Sequence, residues 1–426
     1  MVNTGKLIEE LQMGKHDERL LDIYVDPNKV EYQKLRYVDA IKRYEDYFSG
    51  DMVCIFSAPG RSEIGGNHTD HQHGEVLAAS INNDAIAVVQ AMDEPYVKVL
   101  SDGYEEIVVS FDDLELKEEE KGTTIALVKG VLAGLKQQGW KIGGFQAYIT
   151  SDVLIGAGLS SSAAYETLIG TILSGLFNDM NIPAIEIAKI GQYAENVYFG
   201  KPCGLMDQVA CSVGSLVHVD FADTNNPKVE KVDFDMNQYG YSLCITDTKG
   251  SHADLTSDYA AVPEEMRKVA QFFHKEVLLE VDQTMLFSQM EQLREQVGDR
   301  GVLRAIHFIN ENGRVKKEVS ALKKKEMNTF LTLVKESGDS SFKYLQNVYS
   351  NSDVQHQNVS LALAISEMQL GTNGVSRVHG GGFAGTIQAF VKNDAVAEYQ
   401  KRMDSVFGDA ACSVLKIRKY GGIKVF

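Results

Sequence analysis

A strand that runs through a glycine-rich turn straight into a helix constrains this chain more than any other feature. Residues 144–153, "GFQAYITSDV", alternate as a strand does, and "LIGAGLSSSAAYETLIGTILSGLF" follows from residue 154. Gly156 and Gly158 permit tight backbone conformations, and Ser160, Ser161 and Ser162 fall where the helix begins. Such a turn presents unpaired N–H groups at the positive end of a helix dipole, an arrangement that suits phosphate. The pattern GxxxxGK[ST] is absent, so this is not a Walker loop. Taken alone, the run also reads as an ordinary strand-to-helix turn with serine caps.

The rest of the chain alternates strands and helices around that unit. "MVCIFSAPGR" rises as a strand and breaks at Pro59-Gly60, and "EVLAASINNDAIAVVQAM", "YVKVLSD" and "EEIVVSF" read as further strands. "TTIALVKGVLAGLKQQGW" is helical with Thr123 or Thr124 as cap, and "PAIEIAKIGQYAENVYFG" is helical with proline in its first turn and glycine at its end. Strands return from "SLVHVDF" to "YSLCITDT". A helical tract then spans about Pro263 to Gln369, interrupted at Gly298, Gly313 and Gly338, and its role is not legible. At the start, a polar amphipathic helix offers Leu7, Leu11, Leu20 and Leu21 for docking. A chain of 426 residues exceeds the roughly 250–300 that one hydrophobic core serves, so two domains are expected, divided as 1–237 and 238–426.

Composition narrows the partners. The formal net charge of −17 argues against nucleic acid or anionic membrane, which need basic faces. An anionic nucleotide can still bind through backbone N–H groups, a metal ion or a placed arginine. No stretch approaches the roughly 20 apolar residues of a membrane span, and the start lacks a signal peptide's apolar core. Cys54, Cys203, Cys211, Cys244 and Cys412 are scattered without a CxxC pair, as buried thiols of a reducing compartment would be. A cytoplasmic location is expected.

Phosphoryl transfer asks a protein for a phosphate cradle, a metal bridging phosphate oxygens, positive charge, and a group that orients or deprotonates the hydroxyl. Asp207, just after Gly204 in "CGLMDQ", could accept a hydroxyl proton. Arg61, after the Pro59-Gly60 break, could hold Asp207 ionised and neutralise the migrating group. Each also has a plain alternative, a capped turn and a surface ion pair.

Four stretches together carry a family resemblance. "GAGLSSSAA" resembles the phosphate loop of the GHMP small-molecule kinases, and "APGRSEIGGNHTDH" resembles the galactokinase signature, usually close to GR-x-N-[LI]-I-G-E-H-T-D-Y. "CGLMDQ" resembles the segment bearing the catalytic aspartate, and "RVHGGGFAGTIQAF" the family's glycine-rich third motif. The resemblance spans residue 50 onward. It implies an α+β, two-domain GHMP kinase fold. The N-terminal domain would be like ribosomal protein S5 domain 2, the C-terminal domain ferredoxin-like, and the active site would lie between them. It implies a sugar-1-kinase using ATP and Mg²⁺. Asp207 would be the base and Arg61 the charge stabiliser, and Gly156, Ala157, Gly158, Leu159, Ser160, Ser161 and Ser162 would hold nucleotide. Ser162 and Glu195 would hold the metal, and Asn67, His68, Asp70, Gly204 and Tyr259 would hold the sugar. Gly380, Gly381 and Gly382 would let the second domain approach the phosphates.

The segment "IGGNHTDHQHG" departs from the pattern. Asn67 stands where the family usually has glutamate and Glu63 where it usually has asparagine, while His71 replaces tyrosine. The change either rewires the surroundings of the sugar or selects another sugar, such as an amino sugar, a uronic acid or arabinose. A non-catalytic sugar or nucleotide sensor on the same fold is a further alternative. His68, His71 and His73 also suggest a metal tract. An extended segment, however, would turn His68 away from His71 and His73.

Overall fold

The computed structural model describes residues 1–153, 158–250 and 255–426. The chain opens with a short strand β1 (Val2–Asn3) and the helices α1 (Thr4–Gln12), α2 (Asp17–Tyr24) and α3 (Val30–Tyr47). Two long strands follow, β2 (Met52–Gly65) and β3 (Glu75–Met92), then β4 (Tyr96–Ser101), β5 (Ile107–Ser110), α4 (Thr124–Gln137) and β6 (Gly144–Ser151). Thr123 caps α4 by accepting from the Ala126 N–H. Helices α5 (Ser161–Phe177), α6 (Ala184–Tyr193) and α7 (Met206–Val213) lead to β7 (Leu216–Asp220) and β8 (Lys228–Val232).

These strands make one sheet in the order β1-β2-β3-β6-β4-β5, with β7 and β8 added along β3. Alternation along β2 and β3 decides what each face packs on. Cys54, Phe56, Ala87 and Val89 join α4 and α5 in one core, while Val53, Ile55, Ile86 and Val88 pack under α1, α2 and α3 in another. The β2–β3 register shifts between Pro59 and Arg61 and again between Glu63 and Gly65. Proline cannot donate to a ladder, and such irregularities re-aim the side chains beside them.

The second sheet begins with β9 (Tyr241–Asp247). A helical layer follows, of α8 (Thr256–Phe272), α9 (Gln283–Ser288), α10 (Met290–Lys323), α11 (Met327–Ser340) and α12 (Asn358–Leu370). The strands β10 (Gly374–Val378) and β11 (Thr386–Lys392), helix α13 (Val396–Phe407) and strand β12 (Cys412–Leu415) complete an antiparallel order β10-β11-β9-β12. Leu243, Ile245 and Phe390 pack towards α10 and α11, towards Ile64 and Leu77 of the first sheet and towards Ala163 of α5. Ala389 and Val391 pack towards α12 and α13.

Strand β13 (Ile423–Lys424) then returns to pair with β2, which departs from a division at residue 237. Behind it, the fully buried Arg418 meets Asp84 at 2.9 Å, and Arg36 of α3 meets the same carboxylate at 2.6 Å.

Several local expectations need correction. The first amphipathic stretch is two helices with a turn at Gly14, which adopts φ 74°, and Leu21 is exposed. The helical tract starts before Pro263, which lies inside α8. Gly298 does interrupt, as a kink at φ 79° inside α10, but Gly313 and Gly338 are helical. Gly338 serves close packing instead, since a Cβ there would lie 3.0 Å from that of Arg377. The five cysteines are free thiols, with Cys203 partly exposed and the others buried. No helix among the described residues is long and apolar enough to cross a membrane.

Candidate active site

The site forms where the irregular end of β2, the start of α5 and the start of α7 meet. Arg61 grips Asp207 with both branches of its guanidinium, Nε to Oδ1 at 2.7 Å and Nη2 to Oδ2 at 2.8 Å. Its Nη1 donates to the Gly158 carbonyl, and its backbone N–H donates to the Leu159 carbonyl at 3.1 Å. Gly60 is what allows this approach, because a Cβ there would sit 2.8 Å from the Leu159 oxygen. Ser160 donates to Asp207 as well, from a left-handed conformation of φ 57°. Burial alone would raise the Asp207 pKa. The Arg61 charge and hydrogen bonds, with that of Ser160, more than offset it, so the carboxylate lies below its ordinary value.

Asp70 lies close enough to Asp207 to feel its charge. Gly204 makes room for it, since a Cβ at residue 204 would lie 2.2 Å from Asp70 Oδ2. Burial raises the Asp70 pKa, and so does the neighbouring Asp207 charge, while backbone N–H groups partly compensate.

The histidine stretch is not extended. His68 adopts φ 59° and a single 3₁₀ turn spans Asp70–Gln72, which brings the His68 and His71 rings together at 3.4 Å. His68 Nε2 lies 3.1 Å from the Gly381 carbonyl, and Gln72 reaches His71 Nδ1 at 3.4 Å. One tautomer satisfies the whole chain, with Gln72 donating to His71, His71 to His68 and His68 to Gly381. Burial lowers the His68 pKa to about 4 and that of His71 to about 3, so both are neutral near pH 7. Among the described residues, no group of three or more His, Cys, Asp or Glu is placed to hold a metal ion.

Asn67 is 0% exposed. Its Nδ2 donates to Glu63 at 3.1 Å and to the Gly380 carbonyl at 2.7 Å. Its Oδ1 accepts from Asn347 at 2.9 Å and Ser341 at 3.2 Å, which leaves no donor or acceptor over for a ligand. The departures at 63 and 67 are therefore one reciprocal exchange between side chains in contact. Glu63 in turn pairs with the buried Arg377 of β10.

On the phosphate side, Gly158 carries φ 68°, and a Cβ there would meet Thr386 Oγ1 at 3.0 Å and His379 Nδ1 at 3.3 Å. The second domain thus closes directly on the loop. His379 bridges Ser62 and Thr386 at 3.1 and 2.9 Å. Gly381 faces the Tyr259 ring, whose hydroxyl donates to the Gly382 carbonyl at 2.7 Å. Gly156 and Ala157 lie outside the described residues, and Leu159 is core.

Ser162 and Glu195 do come together, with the hydroxyl donating to Oε1 at 2.9 Å. Glu195 sits on a π turn, Ala194–Phe199, of the kind often found at functional sites. Its Oε2 accepts from Gln208 at 2.8 Å, and Lys201 Nζ lies 2.9 Å from Oε1. A hydroxyl beside a carboxylate is the hard-oxygen donor set that Mg²⁺ takes along with its own waters, so these residues fit that ion.

A cavity of about 850 Å³ adjoins the loop and is lined in part by Ser161, Ser162, Val99, Ile107, Leu127 and Tyr165. No local pattern in the sequence marks it, because its wall is assembled from β3, β4, β5, β6, α4 and α5. His379, Arg377, Asn347 and the α10 acids were missed for the same reason. A signal for one of them existed in Gly65, which stands where the signature has isoleucine. A Cβ there would lie 1.9 Å from Glu318 of α10.

Known proteins match this architecture. The model for the GHMP kinases N-terminal domain matches residues 126–215, and that for the galactokinase galactose-binding signature matches residues 42–91. A galactokinase of Glaesserella parasuis is 30% identical over 363 residues, covering 84% of this chain and 90% of that one. One of Lactobacillus helveticus is 28% identical over 377 residues, covering 87% and 94%. Among solved structures, Lactococcus lactis galactokinase complexed with galactose superposes with a TM-score of 0.77 at 24% identity, covering 92% of this chain and all of that one. Methanococcus jannaschii mevalonate kinase superposes at 0.59 with 15% identity, covering 86% and 98%. The fold is that of the GHMP kinases, and by sequence the chain belongs to their galactokinase family.

Proposed function

We propose that this sugar kinase transfers the γ-phosphoryl group of ATP to the anomeric hydroxyl of galactose, giving galactose 1-phosphate and ADP. The observation that carries the reading is the Arg61–Asp207 pair held by Ser160 and Gly158 of the phosphate loop. Asp207 takes the proton as the anomeric O–H bond breaks. That oxygen bonds to the γ-phosphorus while the bond from phosphorus to the β-bridging oxygen breaks, and ADP leaves. Arg61 keeps Asp207 ionised and lends positive charge to the migrating group. Mg²⁺ held by Ser162 and Glu195 would neutralise phosphate charge. The α5 N-terminus receives phosphate, with Gly158, Ser160, Ser161 and the residues of the loop before them. The adjoining cavity, apolar along Val99, Ile107 and Leu127, suits a purine.

His68, Asp70, Gly204 and Tyr259 border the sugar in this reading. Asn67 supports them from beneath, through the Gly380 carbonyl and its exchange with Glu63. The test is a sugar panel at fixed ATP, with galactose, its 2-amino derivative, a uronic acid, glucose and arabinose. Galactose should turn over fastest, and Asp207→Asn should lower kcat by about a thousandfold while the melting temperature is kept. Faster turnover of another sugar would overturn the substrate, and an active Asp207→Asn variant would overturn the base.

A further inference from the structure

Lys201 plays no part in the proposed reaction, yet it is tied to Glu195 twice. Its backbone N–H donates to the Glu195 carbonyl at 3.1 Å, and its ammonium returns to the Glu195 carboxylate at 2.9 Å. The oxygen it touches is the one that accepts from Ser162. The side chain is otherwise open, at 62% exposure, against 3% for Glu195. Its field also reaches the base: Lys201 helps to lower the Asp207 pKa, and Asp207 helps Glu195 to raise that of Lys201.

We propose that Lys201 is a second cation for the phosphoryl group, parked on Glu195 until a divalent ion takes that carboxylate. This inference rests on the reading of Ser162 and Glu195 as metal ligands. An ammonium and a divalent ion cannot both hold one carboxylate oxygen without strong repulsion. The long, exposed lysine is the partner that can leave, since Glu195 is fixed by Gln208 as well as by burial. Once released, the ammonium stays within a side chain's reach of Glu195 and remains in the field of Asp207. Lys201 then joins Arg61 in lending positive charge to the transferred phosphoryl group. In the absence of metal the same ammonium neutralises Glu195, so the empty site does not hold an unpaired buried carboxylate.

The test uses the full chain with ADP and Mn²⁺, counting free Mn²⁺ by electron paramagnetic resonance, alongside steady-state kinetics. Lys201→Met should bind Mn²⁺ about threefold tighter, the scale set by loss of a partly exposed ion pair. It should also lose about tenfold or more in kcat with KM for the sugar little changed, and Lys201→Arg should restore most of kcat. Unchanged Mn²⁺ affinity in Lys201→Met, or tighter Mn²⁺ with full kcat, would overturn the proposal. A Glu195→Gln arm keeps the two readings apart. If Glu195→Gln binds Mn²⁺ as the parent does, the ligand reading falls. If it binds more weakly while Lys201→Met matches the parent, only the lysine proposal falls.

Discussion

Asp84 and Glu318 are both carboxylates at 0% exposure, one in each half of the molecule, and their surroundings treat them in opposite ways. Asp84 receives Arg36 at 2.6 Å, Arg418 at 2.9 Å, the Tyr24 hydroxyl at 2.9 Å and the Ser57 hydroxyl. Burial pushes its pKa up, but the two guanidinium charges push harder, and the carboxylate lies below its ordinary value. Glu318 has both oxygens buried without a hydrogen bond, and Glu311 and Glu63 lie near it. Burial and like charge together hold its pKa well above the ordinary value, against Arg377 and Arg314. A buried carboxyl stays charged only where cations and donors converge on it, and where acids crowd it keeps its proton. The candidate site belongs to the first kind, since Asp207 is built on the Asp84 plan with Arg61 and Ser160 as partners.

The largest effect should come from breaking the charged side of this contrast. Asp84→Asn leaves Arg418 buried without its countercharge and Arg36 with only Asp152 at 3.2 Å, and should cost about 3–5 kcal/mol in denaturant unfolding. The pKa of Asp84 is depressed in the folded state. The parent therefore holds this stability above the unfolded carboxylate pKa of about 4 and loses it as pH falls through the folded value. Asp84→Asn should lack that part of the acid slope.

A smaller effect of opposite sign is expected on the protonated side. The folded-state pKa of Glu318 is raised, so the parent loses stability as pH climbs from the unfolded value towards the folded one. Glu318→Met should remove that decline and raise stability near pH 8 by about 1–2 kcal/mol, seen as a flatter plot of unfolding free energy against pH. An unchanged slope would mean that Glu318 is charged and paired in solution.

The smallest effect tests the exchange beside it. Glu63→Asn and Asn67→Glu should each destabilise, whereas the double variant should recover about 1 kcal/mol of their sum in a double-mutant cycle. Strict additivity would show that the contact at 3.1 Å carries no coupling.

The residues with a fixed local pattern were legible in the sequence. Arg61, Asp207, Gly204 and Ser162 each lie in a motif, whereas Glu195 lies in none and was reached only through the family resemblance; the structure brings Arg61 to Asp207 and Ser162 to Glu195. Alternation failed at "NHTDHQHG" because a left-handed His68 starts a 3₁₀ turn that no apolar periodicity marks. Gly313 and Gly338 looked like helix breaks yet stay helical, because a glycine inside a helix costs only about 1 kcal/mol and tertiary packing overrides it. Arg36, Asp84 and Arg418 show nothing in sequence, since each is an ordinary charged residue until distant segments meet. The swap of Glu63 and Asn67 was visible, but that the two touch was not.

The return of β13 to β2 bears on the order in which the molecule is assembled. Strands β9 to β12 find every ladder partner between Tyr241 and Leu415. The first sheet waits for Ile423 and Lys424, and Asp84 waits for Arg418. During synthesis, one edge of β2 stays open and the carboxylate faces Arg36 with half its final charge compensation while the whole second sheet is being made. The half of the chain that leaves the ribosome first is the half that closes last.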